Sequence, residues 1–158
     1  MHDIEQIYRE HGGSVLAYLR HKIGPEAEDL LQETFVQVLR RSEALAEVRS
    51  VRAWLLAIAR NLAVNTLRKR RHHVALPARS FPQPRVAEED AEPRLEAMYR
   101  AMETLPDEQR EVLFLRLYEQ LSYAEIALVQ GVPVGTVGSR MHHAVGRLRQ
   151  IMNNSQKG

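Results

Sequence analysis

A short interruption between two helical patterns near the C-terminus constrains the fold of this chain more than any other feature. Residues 121–149 read LSYAEIALVQGVPVGTVGSRMHHAVGRLR. Ser122 and Glu125 have the S-x-x-E spacing of a capping box, in which each side chain accepts a hydrogen bond from the backbone N–H of the other residue. Leu121 and Ile126 occupy the two positions of a hydrophobic staple. These signals predict that a helix begins just after Ser122.

Gly131 and Pro133 predict that this helix ends in a tight turn and that a second helix follows at once. Glycine takes the left-handed conformation that ends many helices without steric cost. Proline fits the opening of a helix, because its missing N–H would have no partner there. The segment is therefore predicted to be a helix-turn-helix, whose second helix would be the recognition helix.

This second helix has an apolar side and a polar side. Apolar residues recur at steps of three and four, namely Val134, Val137, Met141, Val145, Leu148 and Met152. The polar side offers hydroxyl, guanidinium and imidazole groups, which contact phosphates and base edges in DNA. Its candidate DNA-binding residues are Pro133, Thr136, Ser139, Arg140, His142, His143 and Arg147. A solvated amphipathic surface helix would show the same pattern, so both interpretations stay open at this point.

Composition excludes several classes of protein. The 158 residues suffice for one ordinary domain or two small ones, and they include no cysteine. The lack of cysteine fits a reducing compartment and excludes a disulfide scaffold or a thiolate metal site. No apolar run is long enough to span a bilayer, and the N-terminus lacks the layout of a signal peptide. We therefore expect a soluble cytoplasmic protein without direct membrane insertion.

The charges are segregated along the chain, although the net charge is only +2. Residues 1–47 carry nine acids and five bases, and residues 48–87 carry nine bases and no acid. Residues 88–111 carry nine acids and three bases, and residues 112–158 carry two acids and five bases. Such segregation predicts an anionic partner for the two basic stretches and a different partner for the acidic ones.

The predicted fold class is all-α, with two small helical domains joined by an extended linker. Helical periodicity recurs throughout, and no segment alternates with period two for long enough to predict a strand. Three prolines prevent a regular helix in residues 72–92, which we interpret as the linker. The predicted domains are residues 1–71 and 93–153.

A predicted helix from Ser50 to about Arg71 carries the main concentration of positive charge. Its expected buried stripe consists of Val51, Leu55, Ile58 and Leu62. Another side offers asparagine and arginine, which bind base edges and phosphates, and a tryptophan, which stacks on unpaired bases. The residues of this side are Trp54, Asn61, Asn65 and Arg68, bordered by Arg60 and Arg71. Packing in the core is the alternative role for Trp54, and a solvated helix end is the alternative for the basic run.

The helix predicted from about Glu26 to Arg41 has more apolar surface than one buried side requires. Its expected buried residues are Ala27, Leu31, Phe35 and Val38. Leu30, Val36 and Leu39 lie off this stripe, next to the polar residues Asp29, Gln32, Glu33 and Gln37. A mixed apolar and acidic face favours a protein partner with a basic rim. A helix buried on two sides of a bundle would explain the pattern equally well.

No motif in the sequence predicts catalysis. The adjacent histidine pairs do not have zinc-ligand spacing, and neither a phosphate-binding glycine loop nor a nucleophile elbow is present. We therefore expect no catalytic residues, no metal and no cofactor.

Four segments, in order, resemble the extracytoplasmic-function (ECF) class of bacterial RNA polymerase sigma factors. They are AEDLLQETFVQVLR, RAWLLAIARNLAVNTLRKRR, LPDEQREVLFLRLYEQLSYAEIA and VPVGTVGSRMHHAVGRLR. The resemblance implies a non-enzymatic subunit that gives core RNA polymerase its promoter specificity. Its implied partners are the β′ clamp helices and the β flap of core polymerase, double-stranded and locally opened promoter DNA, and an anti-sigma factor.

The resemblance also implies roles for individual residues. Core polymerase would be bound by Asp29, Leu30, Gln32, Glu33 and Phe35. The −10 element would be read by Arg49, Arg52, Trp54, Arg60, Asn61, Asn65, Arg68 and Arg71. The −35 element would be read by the polar side of the recognition helix.

Two positions depart from the family pattern, which usually has an aspartate at the position of Asn65 and a basic residue at that of Gly138. We expect an altered −10 preference from the first departure and a weaker or shifted −35 contact from the second. Two alternative functions are an autonomous dimeric helix-turn-helix regulator and a helical adaptor that binds only protein. The first of these leaves the acidic helix unexplained.

Overall fold

A computed structural model describes residues 3–70 and 93–156 of the chain. These residues form helices and no strand, which confirms the predicted all-α class. The elements are α1 (Ile4–Ile23), α2 (Ala27–Arg40), a 3₁₀ helix (Ser42–Glu47), α3 (Val51–Arg70), α4 (Pro93–Glu103), α5 (Asp107–Leu117), α6 (Tyr123–Gln130) and α7 (Val134–Gln156). The predicted linker and Arg71 lie outside the described residues.

The N-terminal unit consists of α1, α2 and α3, each of which packs against the other two. Asp3 caps α1 by accepting a hydrogen bond from the N–H of Glu5 at 3.0 Å. The helix ends at Gly24, whose φ of 78° suits a residue without a Cβ atom. Tyr18 and Leu19 of α1 are completely buried between the helices.

The buried side of α3 is wider than predicted. Leu55 and Ile58 are buried as expected, but Val51 and Leu62 are only half-buried. The core also takes in Ala53, Leu56, Ala59, Ala63 and Leu67. Small alanine side chains let neighbouring helices approach closely, and the spacing of the larger apolar residues did not indicate that these alanines are buried.

The C-terminal unit is organised around α7, against which α4 and α5 pack. Phe114 of α5 is completely buried and stacks on Tyr118, with their ring centroids 5.2 Å apart. Burial, and to a smaller extent the neighbouring Tyr99, raises the pKa of the Tyr118 hydroxyl far above its usual range. Tyr118 is therefore a neutral structural residue at the end of α5.

The predicted helix-turn-helix signals are confirmed in detail. Ser122 Oγ accepts the N–H of Glu125 at 3.1 Å, and Glu125 Oε1 accepts the N–H of Ser122 at 3.0 Å. Leu121 and Ile126 are both completely buried, as a staple requires. Gly131 has a φ of 65°, the left-handed conformation expected for the turn.

The start of α7 differs in one respect from the prediction. Pro133 lies at the opening of the helix, immediately before Val134, and its carbonyl accepts the N–H of Val137 at 3.3 Å. Val134, expected in the apolar stripe, is exposed, whereas Ala144 is completely buried. The buried side of α7 therefore begins at Val137.

Candidate polymerase and nucleic-acid interfaces

The outer face of α2 combines exposed apolar and acidic side chains. Val36 and Leu39 are 44% and 56% exposed, while Asp29, Gln32 and Glu33 are all exposed. The four residues of the predicted buried stripe are buried on the opposite side. Since Val36 and Leu39 are exposed, α2 is not buried on two sides within the described chain, and its outer face is open to a partner.

Phe35, predicted to contact the polymerase, lies inside the N-terminal unit. It is 7% exposed, and its ring makes an edge contact with Tyr8 of α1 at a centroid distance of 4.9 Å. Leu30 is half-buried. Phe35 therefore supports the outer face of α2 from beneath, together with the exposed Tyr8 ring.

The polar side of α3 is open where the predicted DNA-binding residues lie. Asn61, Asn65 and Arg68 are exposed, and Arg49 is exposed just before the helix. Ser50 Oγ accepts the N–H of Ala53 at 3.2 Å and so fixes the start of α3. Arg52, Trp54 and Arg60 are half-buried.

The basic run at the end of α3 has two roles. Arg68 and Lys69 are exposed, whereas Arg70 turns inward to form an ion pair with Glu26. Arg70 Nη1 also donates to the carbonyl of Ile23 at 3.5 Å. Because these partners lie in the turn between α1 and α2, Arg70 holds the end of α3 against that turn. No local spacing in the sequence indicated this contact.

The polar side of α7 is mostly exposed. Pro133, Ser139, His142, His143 and Arg147 are exposed, and Thr136 is half-buried. The rings of His142 and His143 lie 5.9 Å apart in an edge arrangement. This side therefore presents one hydroxyl, two imidazoles and one guanidinium to the surroundings.

Arg140 differs from these residues. Its side chain is 18% exposed, and Nη2 lies 3.3 Å from Oε2 of Glu108 in the first turn of α5. Its helical position borders the buried residues Val137 and Ala144. The structure thus places Arg140 at the edge of the core, in an ion pair that the sequence pattern did not predict.

Three glycines lie within α7, at positions 135, 138 and 146. A Cβ atom added at any of them meets no neighbouring atom within 4 Å. Packing therefore does not require glycine at these positions, and each lowers the helix propensity of α7 by about 1 kcal/mol relative to alanine.

An apolar groove with a volume of about 440 Å³ lies between α4 and α7. It is lined by Leu95, Met98, Val145, Leu148 and Met152, together with Arg94, Arg149 and Asn153. Three residues of the apolar stripe predicted for α7 line this groove, so the stripe serves both the core and an open surface.

The described residues offer neither a metal site nor a membrane span. Residues 3–70 and 93–156 contain no group of three histidine, aspartate or glutamate side chains placed to hold a metal ion. None of the helices described is long and apolar enough to cross a bilayer.

Comparison with known proteins assigns both units. The family model of sigma-70 region 2 matches residues 7–73, and that of sigma-70 region 4 matches residues 95–148. The ECF RNA polymerase sigma factor SigL of Mycobacterium tuberculosis is 31% identical over 150 residues, which cover 90% of this chain and 85% of SigL. The chain belongs to the ECF sigma factor family. The autonomous regulator is therefore not the favoured interpretation.

Other relatives agree with this family. The sigma factor CarQ of Myxococcus xanthus is 30% identical over 94% of this chain and 88% of its own length. SigE of Mycolicibacterium smegmatis is 35% identical over 158 residues. The match covers 94% of the present chain but only 61% of the length of SigE.

Two solved structures share the fold. RpoE of Bartonella quintana, solved with the anti-sigma factor NepR, has a TM-score of 0.76 and 23% identity and covers 96% of this chain and 97% of its own. CnrH, solved with the cytosolic domain of CnrY, has a TM-score of 0.62 and 25% identity. The match covers 96% of this chain and 88% of CnrH.

Proposed function

We propose that this sigma factor binds core RNA polymerase through α2 and directs initiation at promoters whose −10 and −35 elements are read by α3 and α7. The observation that carries the proposal is that helices of regions 2 and 4 each expose a face with groups suited to DNA, while α2 exposes an apolar and acidic face. The protein itself would catalyse no reaction, bind no cofactor and act in the cytoplasm.

The polymerase-binding face would combine Asp29, Leu30, Gln32 and Glu33, from the set implied by resemblance, with Val36 and Leu39, which we include because they are exposed beside them. Burial of exposed apolar area supplies affinity, and the acidic groups select a basic surface and speed association. Phe35 would act indirectly, by supporting this face. The β′ clamp helices are the proposed partner.

The −10 element would be read by the exposed side of α3. An asparagine amide can bond bidentately to adenine, and Arg68 can bind guanine or phosphate. Because Asn65 is a neutral amide where the family usually has an acid, it adds a base-reading group without repelling phosphates. Trp54, half-buried at the other end of this side, would stack on an unpaired base.

The −35 element would be read by Ser139, His142, His143 and Arg147 on α7, with Thr136 and the Pro133 turn close to the phosphate backbone. The proposed domains are residues 1–71 and 93–153, with residues 72–92 as the linker. The groove between α4 and α7 is the proposed site for the β flap, since five of its eight lining residues are apolar and the groove lies away from the exposed polar side of α7.

An anti-sigma protein is a further proposed partner. RpoE and CnrH, which share this fold, were solved with NepR and CnrY. A protein that covers Val36 and Leu39 would compete directly with polymerase for the same apolar area.

Photo-crosslinking tests the assignment of the two DNA-reading faces. A photo-reactive amino acid is placed at Asn61 or at His143 of the full chain bound to core polymerase and promoter DNA. We expect crosslinks from Asn61 to the −10 block and from His143 to the −35 block, with none from a control position such as Glu96 on α4. Tight binding of a palindromic site without polymerase would instead support the autonomous regulator, and a lack of all DNA crosslinks would support the adaptor.

A further inference from the structure

Arg140 is less exposed than Ser139, His142, His143 and Arg147 of α7. This holds even for Arg147, which lies only about 20° from Arg140 around the helix axis but about two turns further along. With about 100° of rotation per residue, position 140 lies about 60° from Val137, whereas Ser139 and His143 lie more than about 100° from it. Val137, Met141 and Ala144 are buried. Arg140 therefore leaves the helix at the border of the core, and the exposed DNA-facing side is centred elsewhere.

The contact of Arg140 with Glu108 ties α7 to α5. The guanidinium Nη2 is 3.3 Å from the carboxylate Oε2, with side-chain exposures of 18% for Arg140 and 63% for Glu108. Glu108 lies in the first turn of α5, and α5 packs against α7. A guanidinium already paired with a carboxylate releases few counterions when a phosphate approaches, so Arg140 is poorly placed to neutralise DNA.

We infer that Arg140 is a positioning residue and that its ion pair with Glu108 fixes the orientation in which α7 presents Ser139, His143 and Arg147 to the −35 element. This inference rests on the proposed −35 function of α7. It differs from the role implied by resemblance, in which Arg140 contacts DNA directly. If Arg140 contacts DNA directly, Glu108 competes with DNA for the guanidinium, and replacing Glu108 strengthens promoter binding.

The two roles predict opposite results in a double-mutant cycle. Full-length Glu108→Gln, Arg140→Gln and the double variant are assembled with core polymerase. Binding to a duplex that carries a promoter identified by start-site mapping is then measured over a range of salt concentrations. We expect each single variant to bind about two- to fivefold more weakly and the double variant to bind no more weakly than either.

The salt dependence provides the second readout. We expect Arg140→Gln to leave the slope of log Kobs against log salt unchanged, while Arg147→Ala, on the exposed side of the same helix, makes it shallower by about 0.9. Arg140→Lys, which keeps the charge, should recover most of the lost affinity. Thermal melting of each variant checks that the folded fraction is unchanged at the assay temperature.

Two results would overturn the inference while leaving the −35 assignment in place. One is tighter binding by Glu108→Gln; the other is a shallower slope for Arg140→Gln that matches that of Arg147→Ala. If Arg147→Ala also leaves affinity and slope unchanged, α7 does not contact the phosphates, and the proposed −35 function fails together with the inference.

Discussion

Leu39→Ala tests whether the outer face of α2 binds core polymerase. Leu39 is 56% exposed in the described chain, so roughly half of its apolar area is available to a partner. Burying a whole leucine side chain contributes about 1.5–3 kcal/mol. The truncation should therefore weaken polymerase binding by about 1 kcal/mol, or about fivefold in Kd.

The same substitution should change the stability of the free protein little, because an exposed helix position tolerates alanine to within about 0.5 kcal/mol. Competition binding with a fluorescently labelled copy of the protein and core polymerase measures the affinity, and urea unfolding measures the stability. Leu117→Ala is the matched control, since Leu117 is 54% exposed on α5 and lies outside the proposed polymerase surfaces.

An unchanged affinity for the folded Leu39→Ala variant would refute the assignment of this face. An equal loss for Leu117→Ala would show that the effect is not specific to α2. Leu30→Arg, in the same face, should weaken binding further, because it adds a positive charge opposite the basic rim expected on the polymerase.

Four further changes test local features of the C-terminal half of the chain. Ser122→Ala should lower the free energy of unfolding by about 1 kcal/mol through loss of the helix cap, as measured in urea. Gln120 has a φ of 55°, so Gln120→Gly should raise the free energy of unfolding by about 0.5–1 kcal/mol, while Gly131→Ala, at a φ of 65°, should lower it by about 1 kcal/mol. Gly138→Lys should stabilise α7 and make the salt slope of promoter binding steeper by about 0.9, since its Cβ enters open space.

Much of the fold was predictable because its signals are local. The capping box, the left-handed glycine and the buried stripe of α2 each depend on residues within a few positions of one another, and the structure has all three. The exposed apolar residues of α2 were also visible in the sequence, as residues off the buried stripe. Only the structure decided between an open face and a second buried side.

The ion pairs of two arginines could not be predicted in this way. Arg70 and Arg140 occur in basic or polar patterns, but their partners are far away in the sequence: Glu26 lies in the turn before α2, and Glu108 lies in α5. Residue type and periodicity place a side chain on a helix and leave open which neighbouring helix it meets. Consequently the sequence pattern treated these two structural arginines like their exposed neighbours.

In vitro transcription tests the central claim most directly. Sheared genomic DNA is transcribed by core polymerase with and without this protein, and the 5′ ends of the transcripts are sequenced. The account predicts new start sites that share a two-block upstream motif and that weaken when His143 or Asn61 is replaced by alanine. The absence of new start sites, from a protein that still binds DNA without polymerase, would contradict it.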